Sequence, residues 1–276
     1  MALVVNTNTA SNNAINNLNK NTRSLSNSFR KISSGLRVSK AADDAAGLAV
    51  AENLEAASRS ADVAMRNTND GISIISTAEG AASEVGNILK RMRELAVQSS
   101  SDTLDDEERT YIQDELTELS EEVDRISAVT EFNGIALADG TNTQLEVQVG
   151  VMNSANDRIT ITLGDLTAST LGVDTGSVDL STAASARTAI DTIDTAIDSV
   201  SSYRSKFGAV ENRMNSALNN LETYSENLQA AESRIRDADF AYETAEMSKN
   251  QIMQQASTSV LAQAKTVSQG ALNLIG

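Results

Sequence analysis

Residues 193–238 read IDTAIDSVSSYRSKFGAVENRMNSALNNLETYSENLQAAESRIRDA. Steps of three and four from the first residue land on Ile193, Ala196, Val200, Tyr203, Phe207, Val210, Met214, Ala217, Leu221, Tyr224, Leu228, Ala231, Ile235 and Ala238, all apolar or aromatic. An apolar seam at this period predicts a coiled-coil helix. Its length is about 69 Å at 1.5 Å per residue. Most helical stability comes from packing an apolar face, so this helix requires partners.

Two upstream segments supply them. Ala61, Met65, Thr68, Ile72, Ile75, Ala78, Ala82, Val85, Leu89, Met92 and Ala96 make one seam, and Ile112, Leu116, Leu119, Val123 and Ile126 make another. A polar break at residues 99–102 separates them, and Thr103 with Asp106 reads as a capping box opening the second helix. Between the helical stretches the period falls to two, in Leu145, Val147, Val149 and in Ile159, Ile161, Leu163. That alternation predicts a β-hairpin joined by residues 150–157, within a small cap over residues 140–177. Both ends repeat the helical spacing: Ile15, Leu18, Thr22, Leu25, Phe29, Ile32 and Leu36, then Met253, Ala256, Val260, Ala264, Val267, Ala271 and Leu274. Each end is expected to order only when something packs on it. The fold class is mainly α: long antiparallel coiled-coil helices forming a rod, with a small β-hairpin region in mid-sequence.

Composition agrees, because Trp, Pro, Cys and His are absent and aromatic residues make up 3% of the chain. A core without large rings suits narrow helix-on-helix seams. Without His or Cys there is no imidazole base, thiolate nucleophile or thiolate metal site, and no cofactor is expected. Paired carboxylates of the glycosidase kind remain, but thin seams offer no evident cleft. The net charge of −16 opposes nucleic acid and anionic membrane as partners. No run approaches the roughly 20 apolar residues of a membrane span. All acids lie between Asp43 and Glu246, which leaves two acid-free ends suited to crowding together. The start, Met1-Ala2-Leu3-Val4-Val5-Asn6, has no basic leader of a signal peptide.

Local acidic clusters have simple readings. Asp43-Asp44 and Asp105-Asp106-Glu107-Glu108 stand where helices should begin, favourably placed for the helix dipole. Residues 153–157 have turn composition without the ligand spacing of a calcium loop. Met65, Met92 and Met214 fall in seams and are packing residues. On the helix through Val85, Leu89, Met92 and Ala96, the residues Arg91, Leu95 and Gln98 form a stripe about 120° from the seam and are expected to face outward, with Glu115 one step off the Leu116 seam. Taken alone, that stripe reads as a solvated face with one exposed Leu.

Ser33-Ser34-Gly35-Leu36-Arg37-Val38 followed by Asp43-Asp44-Ala45-Ala46-Gly47-Leu48-Ala49 closely resembles the N-terminal signature of bacterial flagellins. Arg93-Glu94-Leu95-Ala96-Val97-Gln98, Glu131-Phe132-Asn133-Gly134, Phe207-Gly208-Ala209-Val210-Glu211-Asn212-Arg213, Asp237-Ala238-Asp239-Phe240-Ala241, Gln254-Gln255-Ala256 and Val260-Leu261-Ala262-Gln263-Ala264 follow in the family's order. The resemblance implies a short flagellin without large central outer domains. Residues 1–42 and 237–276 would be the helices of a terminal, inner-tube domain. A rod domain would comprise helices over 43–139, a hairpin cap over 140–177 and a helix over 178–236. The implied function is structural and non-enzymatic: secretion in unfolded form, then polymerisation into the extracellular flagellar filament for motility. The implied assembly seam is Ile15, Leu18, Leu25, Phe29, Ile32, Leu36, Met253, Val260, Val267 and Leu274. Implied partners are further copies of the chain, filament cap and hook-filament junction proteins, and an export chaperone at the C-terminal helix. A host Toll-like receptor is also implied, with Arg91, Leu95, Gln98 and Glu115 as receptor contact and subunit interface. The alternative is a hook-filament junction protein with flagellin-like ends.

Overall fold

The computed structural model describes the backbone of residues 7–272 and the side chains of residues 7–266. Long helices dominate: α1 (Thr9–Ser34), α2 (Ala45–Ser99), α3 (Asp106–Val129), α5 (Ala183–Arg236) and α6 (Phe240–Leu272), with a short α4 (Ala168–Leu171). Four strands lie between α3 and α5: β1 (Glu131–Phe132), β2 (Ile135–Ala136), β3 (Gln144–Gln148) and β4 (Arg158–Thr162).

In a chain without proline, side-chain caps and left-handed glycine set the helix boundaries. Asn8 accepts from the Ser11 N–H at the start of α1, and Gly35 at φ 71° ends it. Asp44 accepts from the Gly47 N–H at 2.9 Å to open α2. Asp239 takes the Ala241 and Tyr242 N–H groups to open α6. The capping box of α3 is formed by Asp105 and Glu108, two residues beyond the expected Thr103 and Asp106. Thr103 is instead engaged with Ser101 in the preceding turn. The acidic run at 105–108 is thus a helix start, as its composition indicates.

The chain divides into two compact units, Ser58–Ser225 and the combination of Met1–Ala57 with Glu226–Gly276. Both divisions fall inside helices, α2 and α5. In the first unit α2 and α5 run antiparallel, since Arg93 pairs with Asp194 and Glu79 with Arg204, so that one number rises as the other falls. The α2 and α3 seams meet that of α5 in one core holding Ile75, Val85, Leu89, Met92, Leu116, Val123, Ile193, Val200, Phe207 and Met214. The seam of α5 stops earlier than its apolar pattern: the helix ends at Arg236, leaving Ala238 outside it, and Tyr224 is 37% exposed.

The predicted hairpin is present, with β3 and β4 antiparallel and Leu145 opposite Ile161, Val147 opposite Ile159. A second, two-residue hairpin pairs β1 with β2. Its turn residues Asn133 and Gly134 have φ of 52° and 77°, as a type I′ turn demands. The Asn-Gly pair was its signal in the sequence. Residues 137–180 contribute heavily to the core through buried Leu137, Ile161, Leu163, Leu166, Leu171, Val173, Val178 and Leu180.

In the other unit α1 packs against α6, again antiparallel: Asn8 donates to the Ala264 carbonyl, Asn21 to Ser257 Oγ, and Lys31 to Glu243. A single antiparallel bridge, Leu36 opposite Asp237, closes the pair at the end marked by Gly35. There the Arg37 N–H donates to the Arg236 carbonyl and the Ala238 N–H to the Gly35 carbonyl. The Arg37 guanidinium donates to the Arg234 and Ile235 carbonyls at the end of α5, where the last carbonyls of a helix run out of intrahelical donors.

Candidate functional site

Side chains along α1 separate into two adjoining stripes. Ser11, Ala14 and Ser28 are buried and Leu18, Asn21, Leu25 and Ile32 half-buried, a three-four repeat facing α6. On α6 the matching repeat is Glu243, Met247, Asn250, Gln254, Ser257, Leu261 and Ala264. This contact is mostly small and polar. The larger apolar residues beside it are left outside: Phe29 is 65% and Val260 58% exposed, and Ile15, Ile252 and Met253 are exposed with them.

The intramolecular pairing runs along the side of the implied assembly seam that holds Leu18, Leu25 and Ile32 and leaves Ile15, Phe29, Met253 and Val260 uncovered. A two-helix contact buries a narrow strip, and large side chains beside it remain open to solvent until other helices arrive. Leu18, Leu25, Ile32 and Leu36 are half-buried. Leu274 and the side chain of Val267 lie outside the described residues.

Electrostatics also distinguishes the units. Residues 1–57 and 226–276 together carry ten Lys or Arg and ten Asp or Glu, so the −16 of the chain resides wholly in residues 58–225. Copies of a neutral unit crowd together with little net repulsion.

The second candidate site is the α2 stripe facing α3. The Arg91 guanidinium donates to Glu115 Oε1 through Nη2 at 2.7 Å and Nε at 3.0 Å, and to Glu94 Oε2 at 3.2 Å. These bonds, led by the one to Glu115, raise the Arg91 pKa above its ordinary value. Arg91, Gln98 and Glu115 are exposed, whereas Leu95, expected to face outward, is only 2% exposed. The reason is that α2 is flanked here by two helices. Packing of α3 on the Arg91 side widens the buried arc of α2 beyond one seam, and Leu95 joins Ile112 and Leu116 in the core. The apolar residue exposed beside Gln98 is Val97, which the periodicity argument passed over.

Catalytic arrangements find little support. Among the described residues no three acidic side chains are grouped to hold a metal. The open grooves flanking the hairpin turn are lined by Val63, Asn67, Gln148 and Met152 on one side and Asn156, Asp157, Ser216 and Tyr224 on the other. Neither presents a facing pair of carboxylates. No helix among the described residues is long and apolar enough to cross a membrane.

Comparison with known proteins gives a consistent picture. Residues 5–143 match the family described as bacterial flagellin N-terminal helical region, and residues 190–275 match the bacterial flagellin C-terminal helical region. The chain is 43% identical to a flagellin of Halalkalibacterium halodurans over 99% of its own length and 100% of the relative's. It is 41% identical to a flagellin of Bacillus subtilis, over 98% and 99% of the two chains. The crystal structure of Bacillus cereus flagellin is similar at a TM-score of 0.50 and 33% identity, covering 56% of this chain and 88% of that one.

Proposed function

The chain belongs to the bacterial flagellin family, and from that premise we propose how its residues build a filament. It is a structural subunit and not an enzyme, polymerising into the extracellular filament of the bacterial flagellum. The observation that carries the assembly proposal is the exposed apolar stripe of Ile15, Phe29, Met253 and Val260 on a unit without net charge. Burying an exposed aromatic or branched side chain yields about 1.5–3 kcal/mol. Repeated on every copy, such a stripe makes a contact that extends head to tail without closing. The half-buried Leu18, Leu25, Ile32 and Leu36 complete this surface. In this reading residues 1–42 and 237–276 act as the inner-tube domain. Residues 43–139, 140–177 and 178–236 supply the helices, cap and return helix of a rod.

Phe29→Asp and Val260→Asp place a charge where the next copy should dock, on side chains that the single chain leaves in water. Both variants should keep wild-type helical content and fail to form filaments by negative-stain microscopy, because an unpaired charge in a dry contact is costly. Normal filaments from either would overturn the assignment. The same assay separates a filament subunit from a hook-filament junction protein, which should not form long uniform filaments by itself.

Finer partners belong to the same proposal. The export chaperone would take α6 before secretion, and filament cap and hook-filament junction proteins would meet the terminal unit during growth. For a host Toll-like receptor, the contact would centre on Arg91, Gln98 and Glu115, with Leu95 supporting them from beneath. Arg91→Ala should impair both receptor activation in reporter cells and assembly. Equal activation by wild type and variant would reduce the stripe to a solvated face.

A further inference from the structure

We infer that the Lys31–Glu243 pair is the register lock of the terminal unit: it selects which turn of α6 lies against which turn of α1. The face shared by these helices is otherwise made of Ser, Ala, Leu, Asn, Gln, Ile and Met, residues that interchange with small loss when the helices slide by one heptad. Against this background Glu243 is buried, and its Oε1 accepts from Lys31 Nζ at 2.9 Å. A polar or charged group at one seam position fixes register because every other alignment leaves it buried and unpaired.

The geometry makes each alternative specific. With α1 ending at Ser34 and α6 starting at Phe240, a slip of one heptad, roughly 10 Å, carries Glu243 past the end of α1 in one direction. In the other it brings Glu243 to the level of Leu25. Either slip also breaks the Asn21–Ser257 contact at 3.0 Å. Register matters beyond the pair, since it decides which exposed residues of α1 and α6 stand side by side. Subunits that differ in register would offer Phe29 and Val260 in different combinations, and a repeating contact could not propagate. The inference rests on the assembly reading above only in this last step.

The native chain has no cysteine, so register can be read by introduced pairs in the full-length protein. Asn21→Cys with Ser257→Cys reports the native alignment. Asn21→Cys with Asn250→Cys or with Ala264→Cys reports the two slips. In an otherwise wild-type chain only the first pair should form an intrachain disulfide under mild oxidation. Adding Lys31→Leu and Glu243→Leu should raise slipped over native cross-links roughly tenfold, the size expected for coupling across a buried pair. The exchange Lys31→Glu with Glu243→Lys should restore both native cross-linking and filaments, while each single reversal loses them. Glu243 also lies in the first turn of α6, where an acid suits the helix dipole. Recovery by the exchange separates the two roles, because it puts a cation at that position. An unchanged cross-linking pattern in the double-Leu chain would mean that the Leu36–Asp237 bridge sets the register, and would overturn the inference. Failure of the exchange to restore the native pair would do the same. Cross-linking is read whether or not filaments form, so a failed register lock and a failed assembly surface give different results.

Discussion

Asp165 receives the Thr167 N–H and hydroxyl at Oδ1 and the Thr170 hydroxyl at Oδ2, tying the strand exit to α4. Partial burial alone would raise its pKa, but the bonds from Thr170 and Thr167 outweigh it and hold the carboxyl below the ordinary 3.8. A carboxyl that titrates lower in the folded state stabilises above its unfolded value, and loses that contribution as the pH falls through the folded value. Asp165→Asn should therefore cost about 1–2 kcal/mol at neutral pH, and the difference from wild type should shrink as the pH falls from about 4 through the lower folded value. Urea unfolding at pH 7 and pH 3 measures both, and a constant difference would contradict the assignment. Arg109 is a second single-residue anchor: buried, it donates to the Ser99, Ser101 and Leu104 carbonyls and closes the α2–α3 loop. Arg109→Met keeps the bulk and strands those carbonyls, so a loss of roughly 2–3 kcal/mol is expected in the same assay.

Among the elements, the start of α3 and the exit of β4 are the most sharply determined. Asp105→Ala removes the acceptor of the Glu108 N–H at 2.8 Å and should cost about 1 kcal/mol. Thr103→Ala, at the position favoured by the sequence pattern, should cost less. Following β4, Gly164 lies so close to α5 that a Cβ there would meet the Tyr203 ring at 2.7 Å. Gly164→Ala should thus displace Tyr203 and lower the melting temperature, with a penalty of about 1–3 kcal/mol for overpacking. A wild-type melting curve would show that the hairpin relaxes without disturbing α5.

For the whole molecule, stability should be uneven. Among the described residues, buried apolar side chains in the terminal unit are few, Ala14, Val38 and Ala51, whereas residues 58–225 hold large fully buried ones such as Phe207, Leu89, Met92, Leu116 and Ile193. Local opening follows the density of such contacts. In the free chain, amides of α1 and α6 should therefore exchange with solvent well before those of α3 or of α5 between Ile193 and Met214, and assembly should slow them. Equal protection in the free chain would refute this ordering.

Periodicity in the sequence determined the long helices, because an apolar residue every third or fourth position has few other ways to leave water. The alternation at 145–149 and 159–163 determined the hairpin in the same way, and the flagellin motifs determined the family. What the tertiary structure decided was which side of each helix is covered. Leu95 is buried because α3 lies against α2 on a second side, and Phe29 and Val260 are exposed because α6 and α1 meet along the neighbouring stripe. Sequence spacing ranks the faces of one helix by polarity. The number of neighbours that flank it, and the angle from which they approach, depends on residues far away in the chain.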